Sequence, residues 1–244
     1  MSWYDSGHVV SDRSSGKDDI REMFATISKK YDLLNRLLSL NRDKYWRKIA
    51  VSELQVKNGS LFLDLCSGTG DVGIEIIRQD DFHGSVIAGD FCREMLKIGV
   101  MKCQRLGISN IEFICADAEH LPFTDNLFDG VIIAFGIRNV QDKKQALTEL
   151  ARALQKGGRV VILEFGIPTN KLFKQIYHLY FRKILPSIGR IISRNSTAYS
   201  YLPGSVKVFP PREEFAALMQ DSGIREVRYF DLTRGIVTVY IGIK

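Results

Sequence analysis

A glycine-rich segment flanked by carboxylates carries the clearest chemical signal in this 244-residue chain. It reads Asp64-Leu-Cys-Ser-Gly68-Thr-Gly70-Asp71, between an apolar run that predicts a strand and an amphipathic run that predicts a helix. Glycine allows positive φ angles and lets a ligand approach the backbone without obstruction by a Cβ atom. Because ligands bind at the carboxyl ends of strands in open parallel sheets, the segment predicts a small-molecule site at this turn.

Two ligand classes are compatible with the glycine spacing. Gly68, Gly70 and Gly73 form the GxGxxG pattern of a dinucleotide site, so an NAD-dependent oxidoreductase is one hypothesis. Asp64, however, lies inside the strand, just before the first glycine. There it would repel a pyrophosphate but attract the ammonium group of an amino acid. This carboxylate favours a cationic ligand without phosphates.

The acidic residues that end the next two predicted strands extend this hypothesis. Asp90 is placed to bind ribose hydroxyls, and Asp117, followed by Ala118, is placed near an adenine amino group. With Asp64 near an amino-acid ammonium, the three carboxylates fit S-adenosylmethionine, whose sulfonium is also positive. Asp90 and Asp117 are also compatible with simple helix N-caps, and the glycines with tight packing alone.

Short apolar runs alternate with longer amphipathic ones after residue 60, which is typical of strands joined through helices. We therefore expect an α/β fold, with a mostly parallel sheet covered by helices on both faces. Strands are predicted at 61–65, 85–90, 111–115, 128–135 and 159–165, helices at 71–79, 93–106, 143–154 and 213–222, and a terminal antiparallel hairpin at 226–232 and 235–243.

The N-terminal region has a different pattern. Residues 1–20 are polar and predict a flexible tail that becomes helical near Asp19. Residues 21–57 then show two runs with helical spacing of apolar side chains, the second of which is indicated by Tyr45, Trp46, Ile49 and Leu54. We expect these two helices to belong to a single domain that spans 21–244.

Positive charge is concentrated in one part of the chain. The formal net charge is +6, yet residues 165–212 contain eight Lys or Arg and no Asp or Glu, so the rest of the chain is slightly acidic. Residues 168–210 are also rich in aliphatic and aromatic side chains, which predicts a basic, apolar lid inserted in the domain. We expect this lid to hold a lipid-like substrate and to make transient contact with a membrane surface. Such local charge does not favour a nucleic-acid partner.

Composition limits the class and location of the protein. Hydrophobic content of 45% and charged content of 25% are globular values, which excludes a disordered chain. No apolar run approaches the ~18 residues of a membrane span, and the N-terminus lacks the features of a signal peptide. The four cysteines show no metal-like spacing with the histidines. We expect reduced thiols, no metal site, and a cytoplasmic protein that is peripheral at the membrane.

Two further segments are distinctive, Phe135-Gly-Ile-Arg138-Asn139-Val140 and Tyr199-Ser-Tyr201-Leu202-Pro203. Together with the glycine loop, they resemble the ubiquinone/menaquinone biosynthesis C-methyltransferases, a family of class I methyltransferases. The resemblance covers nearly the whole chain from about Ile20. The chain departs from the family pattern at Ala134, where many relatives have serine, and at Gly204, where they have glutamate.

The resemblance implies a Rossmann-like class I methyltransferase fold with a seven-stranded sheet. It also implies methyl transfer from S-adenosylmethionine to a ring carbon of a polyprenylated quinol, either demethylmenaquinol, 2-polyprenyl-6-methoxy-1,4-benzoquinol or both. Thr69, Asp90 and the Asp117-Ala118 pair would contact the cofactor, and a homodimer is a further expectation. A methyltransferase for another small molecule and a non-catalytic binding protein with this fold are the alternatives.

Methylation of a ring carbon needs a specific kind of site, because the carbon is a poor nucleophile until a neighbouring hydroxyl loses its proton. Arg138 is the candidate that stabilises the developing oxyanion and holds a water molecule that accepts the proton, since a guanidinium is not itself a base. Asp71, at the start of the first helix after the glycines, is the candidate that orients this water or receives the proton. An ion pair at the surface is the structural alternative for Arg138, and complementarity to the helix dipole is that for Asp71.

Overall fold

The computed structural model describes residues 16–168 and 197–244. Residues 1–15 of the expected tail and residues 169–196 of the expected lid lie outside the described residues. The described helices are α1 (Lys17–Leu38), α2 (Arg42–Glu53), α3 (Asp71–Ile77), α4 (Arg93–Leu106), α5 (Lys143–Ala153), α6 (Thr197–Val208) and α7 (Arg212–Asp221). The described strands are β1 (Leu61–Leu65), β2 (Ser85–Asp90), β3 (Ile111–Cys115), β4 (Phe128–Ala134), β5 (Leu154–Phe165), β6 (Arg225–Leu232) and β7 (Val237–Ile243).

The strands form one seven-stranded sheet in the order β3-β2-β1-β4-β5-β7-β6, which confirms the predicted α/β fold. Strands β1 to β5 run parallel, and β7 is antiparallel to both β5 and β6. The strand order reverses between β1 and β4, because the chain first moves outwards to β3 and then returns. Open α/β sheets have their ligand crevice at such a reversal. The topology therefore places the loops after β1 and β4 at the functional edge.

Helices pack on both faces of the sheet because its central strands are apolar on both sides. Trp46 and Val51 of α2 belong to the core on one face. Leu147 of α5 and Phe215 and Met219 of α7 belong to the core on the other. Burial of each large apolar side chain contributes about 1.5–3 kcal/mol to stability. The two cores fix the sheet edge on which the site is built.

Three details differ from the sequence-based expectation. Helix α1 begins at Lys17, inside the stretch expected to be a tail, because Lys17 forms ion pairs with residues of the loop after β3. Leu154 begins β5 rather than ending a helix, because it pairs with Phe128 of β4. Tyr45, one of the residues that indicated the second helix, is 47% exposed, whereas its neighbour Trp46 is buried. Among the described helices, none has the length and hydropathy to cross a bilayer.

Candidate active site

A cleft opens at the carboxyl ends of β1, β2 and β4, where the strand order reverses. Its empty space, including the part that is open to solvent, is about 800 Å³. Helix α1 covers one side of the cleft, and a smaller cavity continues beside the start of α3. The residues that line the cleft include Lys17, Phe24, Tyr31, Gly68, Asp90, Ala116, Asp117, Ala118, Phe135 and Asn139.

Asp90 fixes the conformation of the glycine loop. Its Oδ2 atom accepts a hydrogen bond from the Gly68 N–H at 2.8 Å, and its Oδ1 atom accepts one from the Cys92 N–H at 2.8 Å. Burial raises the pKa of Asp90, although these backbone hydrogen bonds oppose the shift. Gly68 adopts a φ of 56°, so the loop turns sharply at the floor of the cleft. Both residues line the cleft at the edge where they were predicted.

Gly70 has a structural reason to be glycine. It has a φ of 77° and forms the N-cap of α3, a conformation that glycine adopts without the penalty of a Cβ. A Cβ at this position would lie 2.8 Å from Cζ of Phe113. Gly70 lines neither of the two described cavities, so what the structure assigns to it is the shape of the turn, and its contact with the cofactor stays a prediction.

Asp64 has one oxygen that the protein does not satisfy. The residue is 1% exposed, and its Oδ2 atom accepts a hydrogen bond from the Gly73 N–H at 2.9 Å. Its Oδ1 atom and the Ser67 hydroxyl are buried without a hydrogen-bond partner among the described residues, and both residues line the smaller cavity. Burial raises the pKa of Asp64 to about 7, the Gly73 bond opposes this shift, and the charge of Asp90 adds to it.

Thr69 and Asp71 belong to a polar network that joins three helices. The ammonium of Lys102, on α4, lies 2.9 Å from Oγ1 of Thr69 and 2.6 Å from Oδ1 of Asp71. It also lies 2.6 Å from Oδ2 of Asp32, on α1. Thr69 donates its own hydroxyl to Asp32 at 2.6 Å. The network locks the glycine loop between α1 and α4, and this connection was not predicted from the sequence.

Asp71 is a weak candidate for a proton acceptor. Arg47 donates to its Oδ2 atom at 2.9 Å, and Lys102 occupies Oδ1. Burial tends to raise the pKa of Asp71, but the charges of Arg47 and Lys102 outweigh it and hold that pKa below its usual range. A carboxylate paired with two cations and lowered in basicity is suited to positioning rather than to general-base catalysis.

Asp117 shares its carboxylate with Lys17 of α1. The Lys17 ammonium lies 2.8 Å from Oδ2 of Asp117 and 2.8 Å from Oε2 of Glu119, while Oδ1 of Asp117 accepts from the Glu119 N–H at 3.0 Å. Burial tends to raise the pKa of Asp117, but the bond to Lys17 lowers it overall. Asp117, Glu119 and His120 cluster closely enough to bind a cation, yet the Lys17 ammonium already bridges the two carboxylates. Lys17 thus closes α1 over the cleft.

Arg138 is buried in an ion pair instead of lying at the surface. Its side chain is 6% exposed and donates to Oε1 of Glu164, itself 0% exposed, at 2.8 Å. The guanidinium also bonds the Phe135 carbonyl and lies over the ring of Phe165, 5.4 Å from its centre. Its Nε atom has no partner among the described residues. Arg138 lines neither described cavity, although the adjacent Asn139 lines the cleft.

Sequence reasoning missed the contribution of α1. Lys17 was assigned to the tail, and no residue of α1 was predicted to line the site, whereas Tyr31 lines both cavities. The acidic pair Asp18-Asp19, typical of a first helical turn, is the signal that would have placed the helix start at Lys17. Nothing in the sequence indicated that Lys102 reaches the glycine loop, because the contact joins residues distant in the chain.

The model of the ubiE/COQ5 methyltransferase family matches residues 12–244. This chain belongs to that family. The methyltransferase is 48% identical over 226 residues to the ubiquinone/menaquinone biosynthesis C-methyltransferase UbiE of Geobacter sp. (strain M21), a match that covers 92% of this chain and 96% of that relative. It is 39% identical over 239 residues to the protein of the same name from Pseudomonas syringae pv. tomato, with 98% and 93% covered.

A solved structure shows the same architecture at lower similarity. A SAM dependent methyltransferase from Aquifex aeolicus superposes with a TM-score of 0.62 at 21% identity, covering 90% of this methyltransferase and 98% of the Aquifex chain. At this identity the comparison supports the class I methyltransferase fold, whereas the family membership rests on the closer relatives.

Proposed function

We propose that this methyltransferase transfers the methyl group of S-adenosylmethionine to a ring carbon of a polyprenylated quinol. The substrate class is that named in its relatives, whose printed names place them in ubiquinone and menaquinone biosynthesis. Demethylmenaquinol and 2-polyprenyl-6-methoxy-1,4-benzoquinol are the two candidate substrates.

The unsatisfied carboxylate of Asp64 is the observation that carries the cofactor assignment. A buried carboxylate oxygen without a partner is costly, and here it lines a cavity beside the equally unpartnered Ser67 hydroxyl. The ammonium of an amino-acid moiety would satisfy both groups, whereas a pyrophosphate would be repelled. This favours S-adenosylmethionine over a nicotinamide dinucleotide. Asp90 and the loop that contains Asp117 would then bind the nucleoside part of the cofactor.

When bound, this cofactor supplies an electrophilic methyl group on a positively charged sulfur. The protein's task is to raise the electron density of the ring carbon by favouring loss of the neighbouring hydroxyl proton. The electron pair of the ring would form the new carbon–carbon bond while the carbon–sulfur bond of the cofactor breaks and S-adenosylhomocysteine leaves. The proton at that carbon would then be lost and the oxygen would regain a proton, which restores the aromatic quinol and releases one proton in total to water.

We assign to Arg138 the role of stabilising the oxyanion that forms when the quinol hydroxyl loses its proton. Glu164 and the Phe135 carbonyl hold its guanidinium in one orientation, and the neighbouring Gly136 and Asn139 line the cleft, so the cation would act on the oxyanion from behind the cleft wall. A fixed cation in a buried site stabilises a developing phenolate more strongly than one in water. Because Arg47 and Lys102 occupy both oxygens of Asp71, we assign the proton to a water molecule that passes it to the solvent.

Incubation with isotopically labelled S-adenosylmethionine and each reduced, short-tailed quinol tests the proposal. Mass analysis should show one labelled methyl group on the ring carbon. Arg138→Lys should lower kcat by more than tenfold while leaving cofactor affinity within twofold, whereas the distant Arg152→Lys should leave kcat unchanged. Labelling of neither quinol, with the cofactor bound normally, would refute the substrate assignment.

A further inference from the structure

The corner between α1 and α2 presents an apolar and basic surface that the proposed reaction does not use. Leu33 is 58% exposed, Leu37 40%, Leu40 76% and Tyr45 47%. We call the exposed side chains of residues 29–48 the elbow surface. Leaving four large apolar side chains exposed in one short segment is unfavourable in water, and such patches commonly mark a binding surface.

The backbone directs these side chains outwards. Leu33 and Leu37 are one helical turn apart on α1, so they share a face. The chain then reverses between α1 and α2, with Leu40 at a φ of 52° and Asn41 at 61°. The left-handed conformation costs a leucine about 1–2 kcal/mol. The fold tolerates this cost and leaves Leu40, the most exposed of the group, at the apex of the corner.

The charge of the elbow surface is positive. Six exposed cations lie in the same segment, Lys29, Lys30, Arg36, Arg42, Lys44 and Lys48. The two acids of the same segment are neutralised within the protein. Asp32 pairs with Lys102 at 2.6 Å, and Asp43 is 3% exposed and pairs with Arg47 at 3.0 Å.

We propose that the elbow surface docks this methyltransferase on an anionic lipid bilayer, with Leu40 inserted among the lipid chains and the cations on the headgroups. Charge complementarity selects this occupant. A second copy of the chain would bring two positive surfaces together, which is repulsive. A nucleic acid would match the cations but would leave the apical leucine without an apolar partner. A bilayer interface satisfies both features at once.

The elbow surface also lies close to the site. The same two helices supply Tyr31, Asn35 and Arg47 to the smaller cavity, so docking at the corner would hold that cavity about one helix diameter, ~10 Å, from the bilayer surface. A polyprenylated quinol resides in the bilayer because of its long apolar tail. The purpose of docking therefore rests on the proposed function, whereas binding to the bilayer is testable without it.

Vesicle sedimentation tests the docking. The full chain should bind vesicles containing phosphatidylglycerol and phosphatidylcholine, and binding to phosphatidylcholine alone should be much weaker. Each cation near such a surface is worth about 1 kcal/mol, so Arg42→Gln with Lys44→Gln should lower the partition coefficient ~25-fold. Leu40→Asn should lower it about tenfold through lost apolar burial, and asparagine tolerates the left-handed backbone.

Matched substitutions control for charge alone. Lys57 and Lys156 are exposed and lie at the amino-terminal edge of the sheet, away from the site. Changing both to glutamine removes the same charge and should leave vesicle binding within twofold. Equal loss in this control would show that only net charge matters, and unchanged binding in the elbow variants would assign the contact to another segment. Either result, or wild-type binding to duplex nucleic acid but not to vesicles, would overturn the proposal.

A kinetic comparison separates docking from methyl transfer. With a short-tailed quinol dissolved in water, the elbow variants should keep the wild-type kcat. With a long-tailed quinol carried in anionic vesicles, their apparent KM should rise by about the same factor as vesicle binding falls. Inactivity of the wild type on both quinols, with vesicle binding intact, would refute the proposed function but not the docking surface.

Discussion

Binding of S-adenosylmethionine should weaken as the pH falls through 7, because Asp64 must be ionised to accept the ligand's ammonium group. Burial raises the pKa of Asp64 to about 7 in the free protein. A ligand cation next to the unpartnered oxygen favours the ionised form, so the bound state has a lower pKa. Linkage then requires that ligand binding releases protons wherever the pH is near or below 7 but still above the pKa of the bound state.

The magnitude follows from the ionised fraction. With a pKa of about 7, this fraction falls from about 0.76 at pH 7.5 to about 0.03 at pH 5.5, so the dissociation constant should rise ~25-fold. At pH 6 about 0.9 proton should be released for each ligand bound. Isothermal titration with S-adenosylhomocysteine, in two buffers of different ionisation enthalpy, measures both quantities.

Two controls assign the effect to Asp64. Methylthioadenosine has the adenine and ribose but lacks the amino-acid portion, so its affinity should hardly change over this pH range. Asp64→Asn should bind S-adenosylhomocysteine about 10–150-fold more weakly at pH 7.5, the value of a hydrogen bond to a charged group, and should show no pH dependence. The apo variant should be at least as stable as the wild type, since it avoids burying a charge. A flat pH profile in the wild type, or an equal change for methylthioadenosine, would refute the reasoning.

Three further substitutions test the packing around the site by urea unfolding. Glu164→Gln leaves the guanidinium of Arg138 buried without a counter-ion and should cost about 3–5 kcal/mol of stability. Lys102→Met removes the cation shared by two partly exposed carboxylates and should cost about 1–3 kcal/mol at pH 7, and the cost should shrink in acid as Asp71, whose pKa Lys102 helps to lower, becomes protonated. Gly70→Ala should cost at least ~2 kcal/mol through its positive φ and its contact with Phe113, and Phe113→Leu should recover part of this loss.

For each of these substitutions, one result would contradict the structural argument. Wild-type stability of Glu164→Gln would mean that the ion pair is solvated, and a pH-independent cost for Lys102→Met would mean that it acts through packing alone. Failure of Phe113→Leu to recover any stability would assign the whole Gly70 effect to the backbone. Glu112→Gln, at an exposed position of β3, is a suitable control, because its free energy of unfolding should lie within ~0.5 kcal/mol of that of the wild type.

The sequence determined the order of the elements and the location of the ligand edge. Apolar runs of strand length, separated by amphipathic helices, are local patterns, and they identified every strand of the sheet to within a few residues. The glycine loop also indicated its own position, because only a turn after a buried strand needs that spacing. Gly68, Asp90, Asp117 and Ala118 line the cleft at this edge as expected.

Only the tertiary structure decided what each of these side chains contacts. Asp71 was a reasonable proton acceptor by sequence, but Arg47 and Lys102 from two other helices lower its basicity. Arg138 gained a buried partner in Glu164, from a strand that the chain reaches only later. Which charged side chains form ion pairs depends on which helices and strands pack together. A local sequence pattern predicts which face of a helix is buried, but it does not predict which element packs against that face. The pKa and the role of a carboxylate are therefore set by the fold.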